Sequence, residues 1–286
     1  MALCAAFMWA IASILYKLGL RTINIFKANL LRSAAALSFM LIFSAAFGRW
    51  GWLQVLFPPL AFYAIANVWI GLGAGDCCYF SCIKRIGVSR ATPLAYSYPF
   101  FVLLLATILL KEAITPLILA GTISIVAGVY FVSTSSPANS ERPIDVRGVA
   151  YGILTSFFWA LSIYIMKLAT SLVGITEFNT GRLALLIPLL LVLSLLSGEK
   201  ASSISRLTKR EAVFLALGGI SALGIGDLFL IYALFLGQAS LVAPLSATQP
   251  LFAILLASLI LREKATKRLV VGAILVVLGA SLLVSH

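Results

Sequence analysis

The sequence holds a single histidine, His286, and nine acidic residues against 21 basic ones in 286 positions. One histidine at the far end leaves no His-based triad and no HExxH zinc site, and neither a Walker-type glycine loop nor a serine nucleophile elbow is present. The four cysteines, Cys4, Cys77, Cys78 and Cys82, have no second CxxC and no neighbouring histidine, so they read as small apolar packing residues rather than zinc ligands or a disulfide framework. Charged residues make up 10% of the chain, too few to cover a soluble domain of this length. No metal and no cofactor is expected. The net charge of +12 does not point to nucleic acid, because the basic residues sit in short connections between apolar runs and form no stripe or aromatic-rich patch.

What the chain has is apolar length. Hydrophobic residues make up 62% of it, and a spanning helix needs roughly 20 mainly apolar residues. Breaking the sequence at charges and Gly/Pro clusters gives ten spans, 2–20, 29–48, 58–82, 91–110, 114–134, 147–169, 179–197, 211–236, 240–261 and 267–285. The first run lacks a charged n-region and has an internal counterpart, so it reads as a span and not as a cleaved signal. The expected fold is all-α and multi-pass in the cell membrane.

The two halves are a tandem duplication. Gly73/Gly224, Asp76/Asp227, Pro93/Pro244, Pro99/Pro250, Phe101/Phe252, Glu112/Glu263, Gly121/Gly272 and Gly128/Gly279 are each 151 positions apart. Trp9/Trp159, Lys17/Lys167, Asn29/Asn179, Arg32/Arg182 and Gly48/Gly198 match at 150, and one indel near residue 50 reconciles the two registers. Five spans per copy is an odd number, so the second copy enters the membrane from the opposite side. The organisation is repeat 1 over 1–134, a polar Pro-containing linker over 135–146, and repeat 2 over 147–286.

Several matched residues are costly in lipid and so invite a role. Asp76 and Asp227 lie inside spans three and eight. Asn29 with Arg32, and Asn179 with Arg182, share a helix face at a depth that suits pairing of Arg32 with Asp76 and of Arg182 with Asp227. Such pairs either hold helices together or handle substrate or protons. Pro99 and Pro250 lie within spans four and nine, where each removes a backbone bond and frees the carbonyl of Ala95 or Ser246. Tyr96, Ser97 and Tyr98, with Thr248 and Gln249, place polar groups at that depth, consistent with a wet cavity or with a simple kink. Trp9 and Trp159 are too deep for the interfacial aromatic belt. Glu112 and Glu263 read as interfacial charges at span ends, and Lys17 and Lys167 as snorkelling anchors. Trp50 and Trp52 beside Arg49 read as a surface anchor. The glycines of spans three, five, eight and ten read as packing faces, with a homodimer face as the alternative for spans five and ten.

These motifs together resemble the drug/metabolite transporter superfamily in its ten-helix form with two EamA-type repeats. The resemblance covers nearly the whole chain and rests on Trp9 and Trp159, the Gly-Asp stretches, the paired prolines, and Leu-Leu-Lys-Glu112 and Leu-Arg-Glu263 with their following glycines. It implies secondary transport of a small molecule through a central cavity, without ATP hydrolysis. Many relatives carry glycine before the glutamate, where this chain has Lys111 and Arg262.

The function expected is therefore a secondary transporter moving a small metabolite or drug by alternating access, not an enzyme. Its substrate-binding residues are Trp9, Tyr96, Ser97, Tyr98, Pro99, Trp159, Thr248, Gln249 and Pro250, and its ion-pair or coupling residues are Arg32, Asp76, Arg182 and Asp227. Its partners are a small-molecule substrate and the lipid bilayer, with proton or counter-substrate coupling open. The alternatives are an intramembrane enzyme built on Asp76 and Asp227, and a channel or structural membrane protein. For orientation, the connections 1–2, 3–4, 5–6, 7–8 and 9–10 share a side that holds all basic residues but Arg49, Lys111, Lys167 and Arg182. The positive-inside rule then puts both termini outside the cytoplasm, although the resemblance implies termini inside. With the native cysteines replaced, Ser285→Cys is expected to react with an impermeant thiol reagent in intact cells. Protection would reverse the orientation.

Overall fold

Backbone polar groups have no water to bond in hydrocarbon, so a chain this apolar can cross a bilayer only as helices that satisfy themselves or as a closed barrel. The computed structural model describes residues 1–19, 25–134, 145–196, 208–261 and 266–285. The architecture is all-helical. Among the described residues ten helices are long and apolar enough to span a membrane: α1 (Ala2–Gly19), α2 (Ala28–Ala46), α3 (Leu60–Ile86), α4 (Arg90–Leu110), α5 (Pro116–Ser133), α6 (Val146–Ala169), α7 (Ile175–Val192), α8 (Lys209–Leu236), α9 (Ala239–Leu256) and α10 (Lys267–Val284). Linker residues 135–144, and with them Arg142, together with Gly198, Arg262, Glu263 and His286, lie outside the described residues.

Most boundaries fall within two residues of the sequence expectation, and two of the larger shifts have a visible cause. The third span continues past 82 to Ile86, because Lys84 and Arg85 occupy its last turn, where cations complement the helix dipole, and it stops at Gly87 (φ +81°). The seventh begins at Ile175 rather than 179. Its polar opening residues remain helical because Asn179 and Arg182 find partners inside the protein.

The described chain forms two compact units, one from Leu3–Ile65 with Ala169–Phe235, the other from Ala66–Leu168 with Leu236–His286. Each unit therefore draws on both copies of the duplication. Within the first are α1, α2, α7 and nearly all of α8. Within the second are most of α3, together with α4, α5, α9, α10 and nearly all of α6.

Both Gly-Asp stretches widen into π-helical turns, over Val68–Gly75 in α3 and Ile220–Gly226 in α8, each ending at the intramembrane aspartate. The glycines do more than pack helices. A Cβ on Gly75 would lie 2.7 Å from Trp159 Cδ1, and one on Gly226 would lie 2.8 Å from Trp9 Cδ1. Glycine thus lets each tryptophan ring lie on the backbone directly before its aspartate. π turns displace carbonyls from the regular ladder and recur at functional sites.

In the second unit α5 and α10 pack antiparallel through their glycines. A Cβ on Gly128 would meet the Gly272 carbonyl at 2.7 Å, and one on Gly121 would meet the Gly279 carbonyl at 2.9 Å. Ser124 Oγ donates to the Leu275 carbonyl at 2.7 Å between them. The pairs 121/279 and 128/272 exchange under the 151-residue register, so the duplication is expressed as a local twofold contact. These glycine faces are used within the chain.

α4 ends in a π turn, Ala106–Leu110, closed by Lys111 in the left-handed region at φ 57°. That conformation costs an L-residue about 1–2 kcal/mol and glycine almost nothing. The glycine that the resemblance leads one to expect before this glutamate would meet that requirement. Lys111→Gly is expected to raise the melting temperature slightly, since the added unfolded-state freedom of glycine offsets about 0.4–1 kcal/mol of the relief. A lower melting temperature would show that the lysine side chain compensates its own backbone.

Candidate functional site

In the first unit Arg182 and Asp227 are the centre of one hydrogen-bonded network. Arg182 is 1% exposed and donates from Nη2 to Asp227 Oδ2 and from Nε and Nη2 to Asn179 Oδ1 at 2.9 and 2.8 Å. Asn179 Nδ2 in turn donates to the carbonyls of Leu223 and Gly224, both at 3.1 Å. A residue three positions before the arginine thus satisfies the carbonyls displaced by the π turn while orienting the guanidinium. Trp9 Nε1 donates to Asp227 Oδ1 at 2.9 Å. The expected Arg182–Asp227 pair is present, and the deep Trp9 bonds the same carboxylate. Arg32 belongs to this unit too, with its guanidinium 5.2 Å from the centre of the Tyr16 ring and its backbone carbonyl where a Cβ on Gly219 would fall.

The second unit repeats the tryptophan–aspartate bond with the copies exchanged, Trp159 Nε1 donating to Asp76 Oδ1 at 3.1 Å. Three tyrosines surround that indole. The ring centres of Tyr79, Tyr96 and Tyr98 lie 5.2, 5.7 and 6.2 Å from Trp159, the last two edge-on. The Tyr79 hydroxyl is 3.3 Å from Thr92 Oγ1. Tyr98, 3% exposed, places its hydroxyl 2.8 Å from Ser246 Oγ and donates to the Ala243 carbonyl at 3.2 Å, tying α4 to α9.

Spans four and nine are interrupted rather than kinked. Both α4 and α9 break over two residues, Tyr96–Ser97 and Ala247–Thr248, and resume at Tyr98 and Gln249. Pro99 and Pro250 stand in the first turn of the second segment, where no backbone donor is required, so they start a helix instead of bending one. The two breaks match bond for bond. Ser97 Oγ donates to the Leu94 carbonyl at 2.7 Å, and Thr248 Oγ1 to that of Leu245 at 2.8 Å. The amides of Phe100 and Leu251 bond the carbonyls of Ser97 and Thr248. Both hydroxyls therefore close the breaks. Pro250 is buried and Gln249 half-buried beside it.

Two charges read from the sequence as interfacial, Glu112 and Lys167, make their bonds to helix ends within the protein. Glu112 accepts from Ala239 N at 2.8 Å, Ser240 N at 3.0 Å and Ser240 Oγ at 2.6 Å, supplying the cap that the start of α9 lacks in its own sequence. Lys167 Nζ donates to the Gly237 carbonyl at 2.8 Å. An acceptor thus serves the orphan amides of a helix N-terminus, and a cation serves a carbonyl at the preceding turn. The sequence does not single out Tyr79, and it marks Ser246 for its carbonyl rather than its hydroxyl. Tyr79 lies three residues after Asp76 on one helix and so on the same face, a signal that was available. Ser246 carries no motif.

The chain matches the EamA-like transporter family over residues 1–134 and 146–285 and belongs to it. It is 28% identical over 285 residues, 99% of its length, to an uncharacterized transporter of Archaeoglobus fulgidus, covering 96% of that protein. It is 42% identical over 59 residues to an uncharacterized protein of Methanocaldococcus jannaschii, a match covering 21% of this chain and 43% of the relative. One solved crystal structure superposes with a TM-score of 0.84 at 19% identity, covering 98% of this chain and 94% of the other, a likeness of fold. The protein is a multi-pass membrane transporter of the EamA-like family, built on two repeats.

Proposed function

We propose that the protein is a secondary transporter that carries a small metabolite or drug by alternating access, driven by a gradient and not by ATP. The observation carrying this reading is the pair of matched helix breaks at Tyr96–Ser97 and Ala247–Thr248, placed beside an aromatic wall and an intramembrane aspartate. Discontinuous helices within spans leave backbone groups able to meet a polar solute, and inverted repeats supply two exchangeable conformations. Tyr96 and Trp159 form the wall that meets substrate, with Pro99 and Pro250 fixing the breaks and Gln249 as a polar contact. Ser97, Thr248 and Tyr98 shape the site through the bonds they make to backbone and to Ser246. Trp9 and the Asp227–Arg182 pair are assigned to coupling, and Arg32 and Asp76, at the corresponding positions of copy one, to the same role. Asp227 is bonded by Arg182 and Trp9, which favours this assignment over a carboxylate serving in hydrolysis.

Purified protein in proteoliposomes is expected to show saturable uptake and counterflow of a ligand identified by thermal-shift screening of amino acids, nucleobases, sugar phosphates and cationic drugs. Tyr96→Ala and Gln249→Ala are expected to raise the apparent KM about tenfold, equivalent to 1.4 kcal/mol of lost binding, with folded yield retained. Flux linear in concentration without counterflow would make the protein a pore, and a covalently altered product would make it an enzyme. Unaltered KM in both variants would move the site elsewhere.

A further inference from the structure

A cavity of about 440 Å³ opens in the first unit beside the last turns of α8. Leu228, Phe229, Tyr232 and Phe235 form one wall, the turn leading into α7 forms the other, and Arg49 stands at the rim. The volume is within the range of small-molecule pockets, about 300–1,000 Å³, yet the walls are almost wholly apolar. Tyr232 and Phe235 are 40% and 55% exposed within a span. The wall therefore continues from the cavity onto the exposed surface of a span long and apolar enough to cross a bilayer.

The rim sets the chemistry of the occupant's head. Arg49 is 61% exposed and Glu177 12%, with Arg49 Nη1 3.7 Å from Glu177 Oε1. Glu177 is fixed: it sits in the first turn of α7, where a helix N-terminus favours negative charge. Its Oε2 lies where a Cβ on Gly174 would fall, so the carboxylate is folded onto its own turn. Arg49 is the member that can move. Its guanidinium is a planar fork suited to a phosphate, and exchanging a long contact for a bidentate one favours that ligand. Trp50, 57% exposed beside it, has the amphipathic character of an interfacial residue.

We propose that this cavity is a phospholipid site, in which an acyl chain of an anionic lipid lies along the α8 wall and its phosphate pairs with Arg49. The inference concerns binding alone and does not depend on the transport reading.

The test uses the delipidated full chain, titrated in native mass spectrometry with phosphatidylglycerol, with phosphatidylcholine of the same chains, and with glycerol phosphate as the head without tails. The first phosphatidylglycerol is expected to bind about fivefold tighter than phosphatidylcholine, the worth of one basic residue against an anionic headgroup. Arg49→Gln should abolish that preference. Val173→Trp, or Ile175→Trp if the first is not monodisperse, should fill the cavity and weaken retention of both lipids. An unchanged preference in Arg49→Gln, or unchanged retention in the filled variant, would overturn the proposal. Tight binding of glycerol phosphate that is lost in Arg49→Gln would replace it with a free-anion site.

Discussion

Asp227→Asn is expected to destabilise the protein by about 3–5 kcal/mol, because it leaves the Arg182 guanidinium, 1% exposed, without its counter-charge in a low-dielectric setting. Asn179 still accepts from Nε and Nη2, but a neutral acceptor does not replace a carboxylate. Trp9 also loses a charged acceptor for its indole N–H. The double variant Asp227→Asn with Arg182→Gln removes both charges and should recover part of the loss. The single Arg182→Gln should be as harmful as Asp227→Asn, since it strands the carboxylate instead. Thermal melting of the purified variants gives the coupling between the two positions, and contacting residues in one network commonly show 0.5–3 kcal/mol of it. Strictly additive losses would mean that the two groups do not support one another. Asn179→Ala offers a second check, because it removes the bonds to Leu223, Gly224 and Arg182 without altering charge. A loss of about 1–3 kcal/mol is the cost of leaving buried groups unsatisfied.

The span count and the inverted organisation were legible because both depend on properties that survive averaging over side chains, namely apolar length and the period of a repeat. The Arg182–Asp227 pair was legible too, since an intramembrane charge has few ways to be tolerated and the duplication supplied the partner. The tryptophan–aspartate bonds were not. Trp9 and Asp227 are 218 positions apart, and nothing in a helical periodicity says which neighbour an indole will meet. Both ends were nevertheless marked as unusual for their depth, and the glycine before each aspartate was present in both copies. The role of Glu112 was hidden for a different reason. Its position after the last apolar residue of a span fits a headgroup charge, while its partners lie at the start of α9. In the sequence, proline at 99 and 250 looks like an interruption of a helix already under way. Whether proline ends one segment or begins the next depends on the two residues before it, and the turn-forming Tyr96–Ser97 and Ala247–Thr248 pairs carry no strong signal of their own.

The other large effect lies in the α5–α10 contact. Gly128→Val is expected to destabilise by about 3 kcal/mol or more, at the upper end of what overpacking costs, since a Cβ there would stand 2.7 Å from both the Gly272 carbonyl and Val276 Cγ2. The obstructing group is backbone, so no side-chain rotation relieves it and the helices must separate. Separation also breaks the Ser124–Leu275 bond and opens the contact at Gly121 and Gly279. Gly272→Val meets the same obstacle in reverse, 2.7 Å from the Gly128 carbonyl and from Val132 Cγ2. The local twofold relation therefore predicts nearly equal losses for the two single variants. It also predicts a double variant less harmful than their sum, because the first substitution has already displaced the helices. Ile123→Val, at a half-exposed position on α5, serves as the control and should change little. Melting temperature and the monodisperse fraction in detergent are the measurements. Unchanged melting in Gly128→Val, together with a shift from dimer to monomer, would instead assign these glycines to a contact between two copies of the chain.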